Sequence, residues 1–175
     1  MVHCMTQLSP EATERSRTFT WTDPLASAQA VLGRSGLEAM RAIAAGEIPP
    51  PPIARLLGME LVEVEHGRAV FALTPAEWMY NPIGSVHGGI AATILDSALG
   101  CSVHTTLDAG VGYASTDLQV RFVRGMSATT GRVICDSRVV HAGRRMATAE
   151  ATLVSEADGK LIAHGTTGCM IIDTR

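Results

Sequence analysis

Two runs of strand character, Met59–Glu65 and Arg68–Leu73, flank His66-Gly67, a connection of two-residue hairpin length. After a loop containing Pro75, Asn81, Pro82 and Gly84 the pattern changes. The first eighteen residues of Val86–Thr106 are apolar or small almost all round, with His87 and Asp96 as their only ionisable groups. A segment of that kind predicts a buried helix. Downstream, Tyr113–Phe122 alternates: Ala114, Leu118, Val120 and Phe122 fall on one face, and Tyr113, Ser115, Asp117, Gln119 and Arg121 on the other, with only Thr116 blurring the pattern. Three longer strands follow, Arg132–Val140, Arg145–Val154 and Leu161–Ile172, separated by turns at 141–143 and at 157–160, the latter with Asp158-Gly159 in hairpin position. In Arg145–Val154, Ala147, Ala149, Ala151 and Leu153 share one face, small enough for a helix backbone to pack closely. The order is β-β-α-β-β-β-β. An α+β architecture satisfies it, an antiparallel sheet curled around one long central helix.

The chain before Met59 reads differently. Its first thirty-odd residues are polar and aperiodic, punctuated by Ser9-Pro10, Asp23-Pro24 and Gly33, and predict a loose arm. Leu37, Met40, Ile43 and Ala44 repeat at helical spacing behind Ser35 as N-cap; Pro49 to Pro52 end that helix before a short apolar turn at Ile53–Leu57. The predicted division is thus an N-terminal arm with short helices over 1–58 and a sheet-and-helix domain over 59–175.

With 175 residues, 46% hydrophobic and 18% charged, the chain has enough to bury for one well-formed core. Fourteen basic against seventeen acidic residues leave a net charge of −3, with no run of five like charges, so neither nucleic acid nor a membrane surface is an expected partner. The longest stretch without a formal charge, Trp78 to Leu95, carries Asn81, Pro82, His87 and three glycines, a poor membrane span. Cys4, Cys101, Cys135 and Cys169 are too scattered for a disulfide scaffold and form no Cys-x-x-Cys pair. With no secretory signal in the first ten residues, a soluble cytoplasmic protein is expected.

Chemistry concentrates on Asp96 and the loop before its helix. A carboxylate within an apolar helix costs several kcal/mol, on the order of a lost buried ion pair, unless it is paired or kept for function. Tandem Gly88-Gly89 at a helix start costs roughly 1 kcal/mol per glycine relative to Ala, so something else approaches the backbone closely there. Their N–H groups, at the positive end of the dipole, are suited to an oxyanion, and tight helix–sheet packing is the plainer alternative. His87 and Asp96 are nine positions apart, half a turn out of phase and about 13.5 Å apart along a regular helix. One copy of the helix cannot aim both at one substrate; two copies about a two-fold axis can, which predicts a homodimer with composite sites.

Other motifs fail. Ile83 and His87 occupy the positions where a nucleophile elbow around Ser85 needs glycines, and the phosphate-loop pattern is absent. Cys101 and His104 share a helix face but have no second ligand pair, so no metal is expected. Arg144-Arg145 beside Gly143 is a cationic spot on a turn, solvated or available to a phosphate-bearing ligand.

The run from Asn81 through His87-Gly88-Gly89 to Asp96 resembles the signature of PaaI-like acyl-CoA thioesterases of the hot-dog fold, and the resemblance extends from about Met59 to Ile172. It implies two-fold dimers, paired into a dimer of dimers, with sites at the dimer interface. It further implies Asp96 as the catalytic carboxylate, acting as general base or as nucleophile, and the Gly88 N–H, beside Gly89, as donor to the thioester carbonyl. Asn81 and His87 would position the carbonyl or the attacking water. A hydroxyl on the following strand would assist, Ser115 first and Thr116 second. Arg144 and Arg145 are candidates to hold CoA, which enters as part of the substrate, with no separate cofactor. Trp78, Met79, Tyr80, Ile90 and Ile94 are candidates to line an acyl pocket. A hydratase of the same fold using His87 as base, and a non-catalytic acyl-CoA binding module, are the alternatives.

Overall fold

The computed structural model describes residues 13–173; Cys4 and the first part of the predicted arm lie outside the described residues. Six antiparallel strands form one sheet in the order β1-β2-β4-β5-β6-β3. They are β1 (Glu60–Glu65), β2 (Arg68–Leu73), β3 (Val111–Phe122), β4 (Val133–Ala142), β5 (Met146–Ser155) and β6 (Leu161–Asp173). The sheet curls around α4 (Gly88–His104), and three helices precede it: α1 (Pro24–Val31), α2 (Gly36–Ala44) and α3 (Pro52–Leu57). This is the hot-dog architecture, with an N-terminal helical extension.

Local chemistry accounts for most of the boundaries. Gly67 takes φ +75° in the β1–β2 turn, a conformation open to glycine at no steric cost. Ser35 and Glu38 form a reciprocal capping box at the start of α2. The predicted apolar turn at Ile53–Leu57 is a helix, α3, started by Pro52 and closed by Gly58 in the left-handed conformation. The arm also contains a helix that its polarity hides. Asp23 accepts the Leu25 N–H at 2.9 Å and Pro24 sits in the first turn, so α1 is nucleated by its cap although it buries no residue. Ahead of α1, Arg17 lays its guanidinium 3.8 Å over the Trp78 ring and donates to the Leu56 carbonyl, while Arg15 pairs with Glu77.

The core lies between α4 and the concave face of the sheet. Ala147, Ala149, Ala151 and Leu153 of β5 are buried there as their alternation predicts, against Ile94, Leu95, Ala98 and Leu99 of α4. Two expectations need correction. The helix is not enclosed on every side in the single chain: Gly89 and Asp96 are exposed and Thr93 is half-buried, a stripe at i, i+4 and i+7. The face assignment along β3 also changes midway. A bulge at Thr116, between the pairs Ser115–Cys169 and Asp117–Gly168, inserts one extra residue. It puts Tyr113 onto the helix-facing side with Leu118 and Val120, all three packed on the core, whereas strict alternation separates them.

At the other end of α4, Gly36 presses on its last turn. A Cβ at Gly36 would stand 1.7 Å from the His104 carbonyl oxygen, so only glycine lets α2 start there. Helix α2 then runs across β1 and the C-terminal half of α4. Among the described residues, no helix is long and apolar enough to cross a membrane.

Candidate active site

Helix α4 begins at a cap built by its own sequence. His87 is the N-cap, and its Nδ1 accepts the Gly89 N–H at 2.9 Å. Neutral imidazole accepting at Nδ1 carries its proton on Nε2, so His87 presents a donor outward. A Cβ at Gly89 would meet Nδ1 at 2.9 Å, and one at Gly88 would meet the Phe122 ring at 3.2 Å. The two glycines therefore have distinct uses, one admitting the capping imidazole and the other the β3 aromatic. The Gly88 N–H, at the first helical position, has no intrahelical acceptor by construction and points along the positive end of the dipole.

Asn81 organises the loop before the helix. Its Oδ1 accepts from the Ile83 and Ser85 N–H groups at 3.1 and 3.2 Å, and its Nδ2 donates to Ser85 Oγ at 3.0 Å. Both ends of the amide are engaged within the turn that delivers His87 and Gly88.

Two turns into α4, Asp96 emerges on the exposed stripe, where Ser115 Oγ donates to its Oδ1 at 3.3 Å. Thr116, the next hydroxyl along, is turned away by the bulge and donates to the Gly168 carbonyl at 3.0 Å. Of the two hydroxyls, the structure brings Ser115 to the carboxylate.

Asp96 and Ser115 stand at the rim of a cavity of about 440 Å³. Its walls come from α2 (Met40, Ile43), the Pro50-Pro51 segment, α3 and β1, with Cys101 of α4 and Tyr113 of β3. None of the acyl-pocket candidates proposed from sequence lines it: Met79 and Ile94 are core residues, and Trp78 and Tyr80 lie on the surface. Burial, reinforced by the Asp96 charge, pushes the Cys101 thiol up to about 12, so it is a neutral wall group at physiological pH. Burial likewise raises the Tyr113 phenol, and the nearby Asp96 carboxylate adds to it. Sequence reasoning passed over Tyr113. The signal was Gly100, because a Cβ there would lie 2.5 Å from the Tyr113 hydroxyl.

Arg144 and Arg145 line a separate surface depression with Thr106, Asp108 and Ile171, beyond the C-terminal end of α4. Cys101 and His104 gain no further ligands: among the described residues, no three His, Cys, Asp or Glu side chains gather as a metal site would need.

Comparison with known proteins gives this geometry a context. Residues 83–162, from the loop ahead of α4 to the start of β6, match the family model of the thioesterase superfamily. Over that segment the chain is similar to the thioesterase superfamily. The "Putative esterase" of Halobacterium salinarum is 40% identical over 77 residues, 43% of this chain and 49% of that protein, so the match spans about half of that relative's length. Human acyl-coenzyme A thioesterase 13 is 29% identical over 113 residues, 63% of this chain and 79% of that one. Among solved structures, a phenylacetic acid degradation-related protein of Ralstonia eutropha JMP134 superposes with a TM-score of 0.68 at 28% identity, covering 75% of this chain and 98% of that one. The superfamily segment contains His87, Gly88, Asp96 and Ser115, whereas α1, α2 and α3 lie outside it.

Proposed function

We propose that this chain hydrolyses an acyl-CoA thioester to free acid and CoA, with Asp96 as the reacting carboxylate and the Gly88 N–H as the oxyanion donor. The observation that carries the reading is the exposed Asp96 carboxylate, held by the Ser115 hydroxyl at the rim of a largely apolar chamber. Thioester hydrolysis needs a base or nucleophile against the carbonyl carbon, a donor for the developing oxyanion, and a dry place for the acyl group. The names of the relatives, thioesterase and esterase among them, support the same chemistry.

A second copy of the chain is part of the reading. Gly88 and Asp96 are eight residues apart on one regular helix, about 12 Å along its axis, too far for one thioester carbonyl to touch both. Among the described residues the sheet ends at β3, whose outer edge is unpaired and lies beside the Asp96 stripe. A two-fold partner laid along that edge would continue the sheet and offer its Gly88 to this chain's Asp96, giving two composite sites per dimer. Pairing of such dimers into a tetramer belongs to the same reading. Arg144 and Arg145 offer forked donors suited to CoA phosphates. The free thiols of Cys101, Cys135 and Cys169 fit a reducing cytoplasm.

His87 fits positioning better than base catalysis. Its Nδ1 is occupied by the Gly89 N–H, and its outward nitrogen is a donor, which supports hydrolysis over the hydratase alternative.

The test is thiol release from a panel of aryl- and alkyl-CoA esters by wild type and Asp96→Asn side by side. Wild-type turnover falling by about 10² to 10³ or more in the variant, with the fold and dimer intact, is the expected result. Full activity in Asp96→Asn overturns the assignment of the carboxylate, and absence of thiol release from every ester overturns the function.

A further inference from the structure

We propose that helix α2, outside the superfamily segment, roofs the acyl chamber and sets acyl length, making this chain selective for linear acyl groups of medium to long chain over single-ring aryl groups. The inference rests on the hydrolase reading above for the identity of the reacting end, and on the chamber itself for the rest.

Helix α2 reaches the chamber by a route that can be followed residue by residue. Gly36 seats its first turn on the His104 carbonyl, and the Gly36 N–H donates to the Leu107 carbonyl at 2.9 Å. From this anchor past the end of α4, the helix turns Ala39, Met40 and Ala42 inward. Met40 and Ile43 then face the chamber across from Cys101, five residues and about 7.5 Å further along α4 than Asp96. The chamber therefore extends from Asp96 toward the C-terminal half of α4 and is lined there by α2.

Its walls suit a hydrocarbon. Beyond the Asp96 and Ser115 rim the one charged wall residue among the described residues is Glu60, whose carboxylate accepts from Arg132 at 2.9 Å. The Cys101 thiol and Tyr113 phenol are held neutral by burial.

The volume decides between acyl classes. A cavity that holds one benzene ring has about 150 Å³, roughly 25 Å³ per carbon. The 440 Å³ here is about three times that, room at the same packing for a chain of up to about seventeen carbons. A single ring would leave most of the wall without contacts, and unfilled apolar volume forfeits dispersion energy.

The experiment compares kcat/KM for hexanoyl-, dodecanoyl-, hexadecanoyl- and phenylacetyl-CoA in wild type, Ile43→Trp and Ile43→Ala, with melting curves as the folding check. Wild type should favour dodecanoyl- over both hexanoyl- and phenylacetyl-CoA by tenfold or more. Ile43→Trp should lower the dodecanoyl-to-hexanoyl ratio at least tenfold, and Ile43→Ala should raise the hexadecanoyl-to-dodecanoyl ratio. A wild-type preference for phenylacetyl-CoA, or ratios unchanged in both variants, overturns the proposal. If no ester releases thiol, the hydrolase reading fails by itself. The chamber is then judged by calorimetric binding of the S-dodecyl and S-hexyl thioethers of CoA. Tenfold tighter dodecyl binding, lost in Ile43→Trp, upholds the role of α2, and equal binding of the two thioethers overturns it.

Discussion

The Tyr113 hydroxyl occupies the space beside Gly100 that any other residue's Cβ would claim, 2.5 Å from that position, with the ring edge at 2.8 Å. Gly100 is buried in the C-terminal part of α4, where glycine weakens a helix by up to about 1 kcal/mol against alanine. Gly100→Ala gains that propensity but forces the buried phenol out of place, and overpacking of this kind costs about 1–3 kcal/mol. The net expectation is a lower melting temperature, by a few degrees for a chain of this size. Tyr113→Phe removes the atom in closest approach, so it should recover part of the loss in the double variant. A thermal-melt double-mutant cycle with no coupling between the two sites would contradict the geometry.

Ser115 and Thr116 are neighbours with opposite loyalties, one hydroxyl on the Asp96 carboxylate and the other on the Gly168 carbonyl. A hydrogen bond to a charged group contributes about 1.5–3 kcal/mol. If that contribution is felt in the transition state, Ser115→Ala should lower kcat by roughly ten- to a hundredfold with little change in melting temperature. Thr116→Ala should do the reverse, costing about 1 kcal/mol of stability through the loosened bulge while leaving kcat within a few-fold. Thiol-release kinetics and melting curves on the pair separate the two roles, and equal kinetic losses would contradict the separation.

The same bulge marks where the sequence stops being legible. The β1–β2 turn at Gly67, the long central helix and the alanine face of β5 could be read because each depends on local periodicity or on one turn residue. The crossing of faces on β3 could not. It depends on an extra residue at Thr116 and on Gly168 of β6, fifty-two positions away, where a Cβ would stand 2.7 Å from the Asp117 carboxylate. At the candidate site, Asp96 and Gly88 stand out because a carboxylate and tandem glycines are costly in an apolar helix, whereas the roles expected of them and of His87 come from the family resemblance. The chamber walls do not stand out, because Met40 and Ile43 become wall residues only when Gly36 meets His104 across long-range packing. Helix α1 was obscured for a simpler reason: it has no apolar face to repeat.

The capping role of His87 and the positioning role proposed for it can be separated by substitution. Its Nδ1 caps α4 through the Gly89 N–H. His87→Ala should lose about 0.5–2 kcal/mol, the usual cost of removing an N-cap acceptor. Asn is a strong N-cap, so His87→Asn should recover most of that stability. Activity should stay low in both variants if the outward Nε2–H positions the substrate, and should return with stability in His87→Asn if capping is the whole role. Melting temperature and kcat/KM measured on the same preparations decide between these outcomes.

His104 makes folding stability depend on mild acid. Its Nδ1 is buried with no hydrogen-bond partner among the described residues, and its ring lies 5.7 Å from that of Tyr113. Burial lowers its pKa below the ordinary 6.5. The unfolded chain then binds a proton that the folded chain refuses, so stability rises with pH across the interval between the two values. The contribution is complete above about pH 6.5 and is lost as pH falls from there toward the folded-state value. Melting temperature should therefore decline below pH 6.5, and His104→Phe, which keeps an aromatic ring against Tyr113 without a titrating group, should flatten that part of the profile. Because the His104 carbonyl seats Gly36, acid should also loosen α2 before the rest of the sheet. Protection of the amides in residues 36–44, taken relative to their intrinsic exchange rates, should fall against that of β5 between pH 6.5 and 5 in wild type and keep its ratio to β5 in His104→Phe, and an equal loss of protection across the chain in both proteins would contradict the linkage.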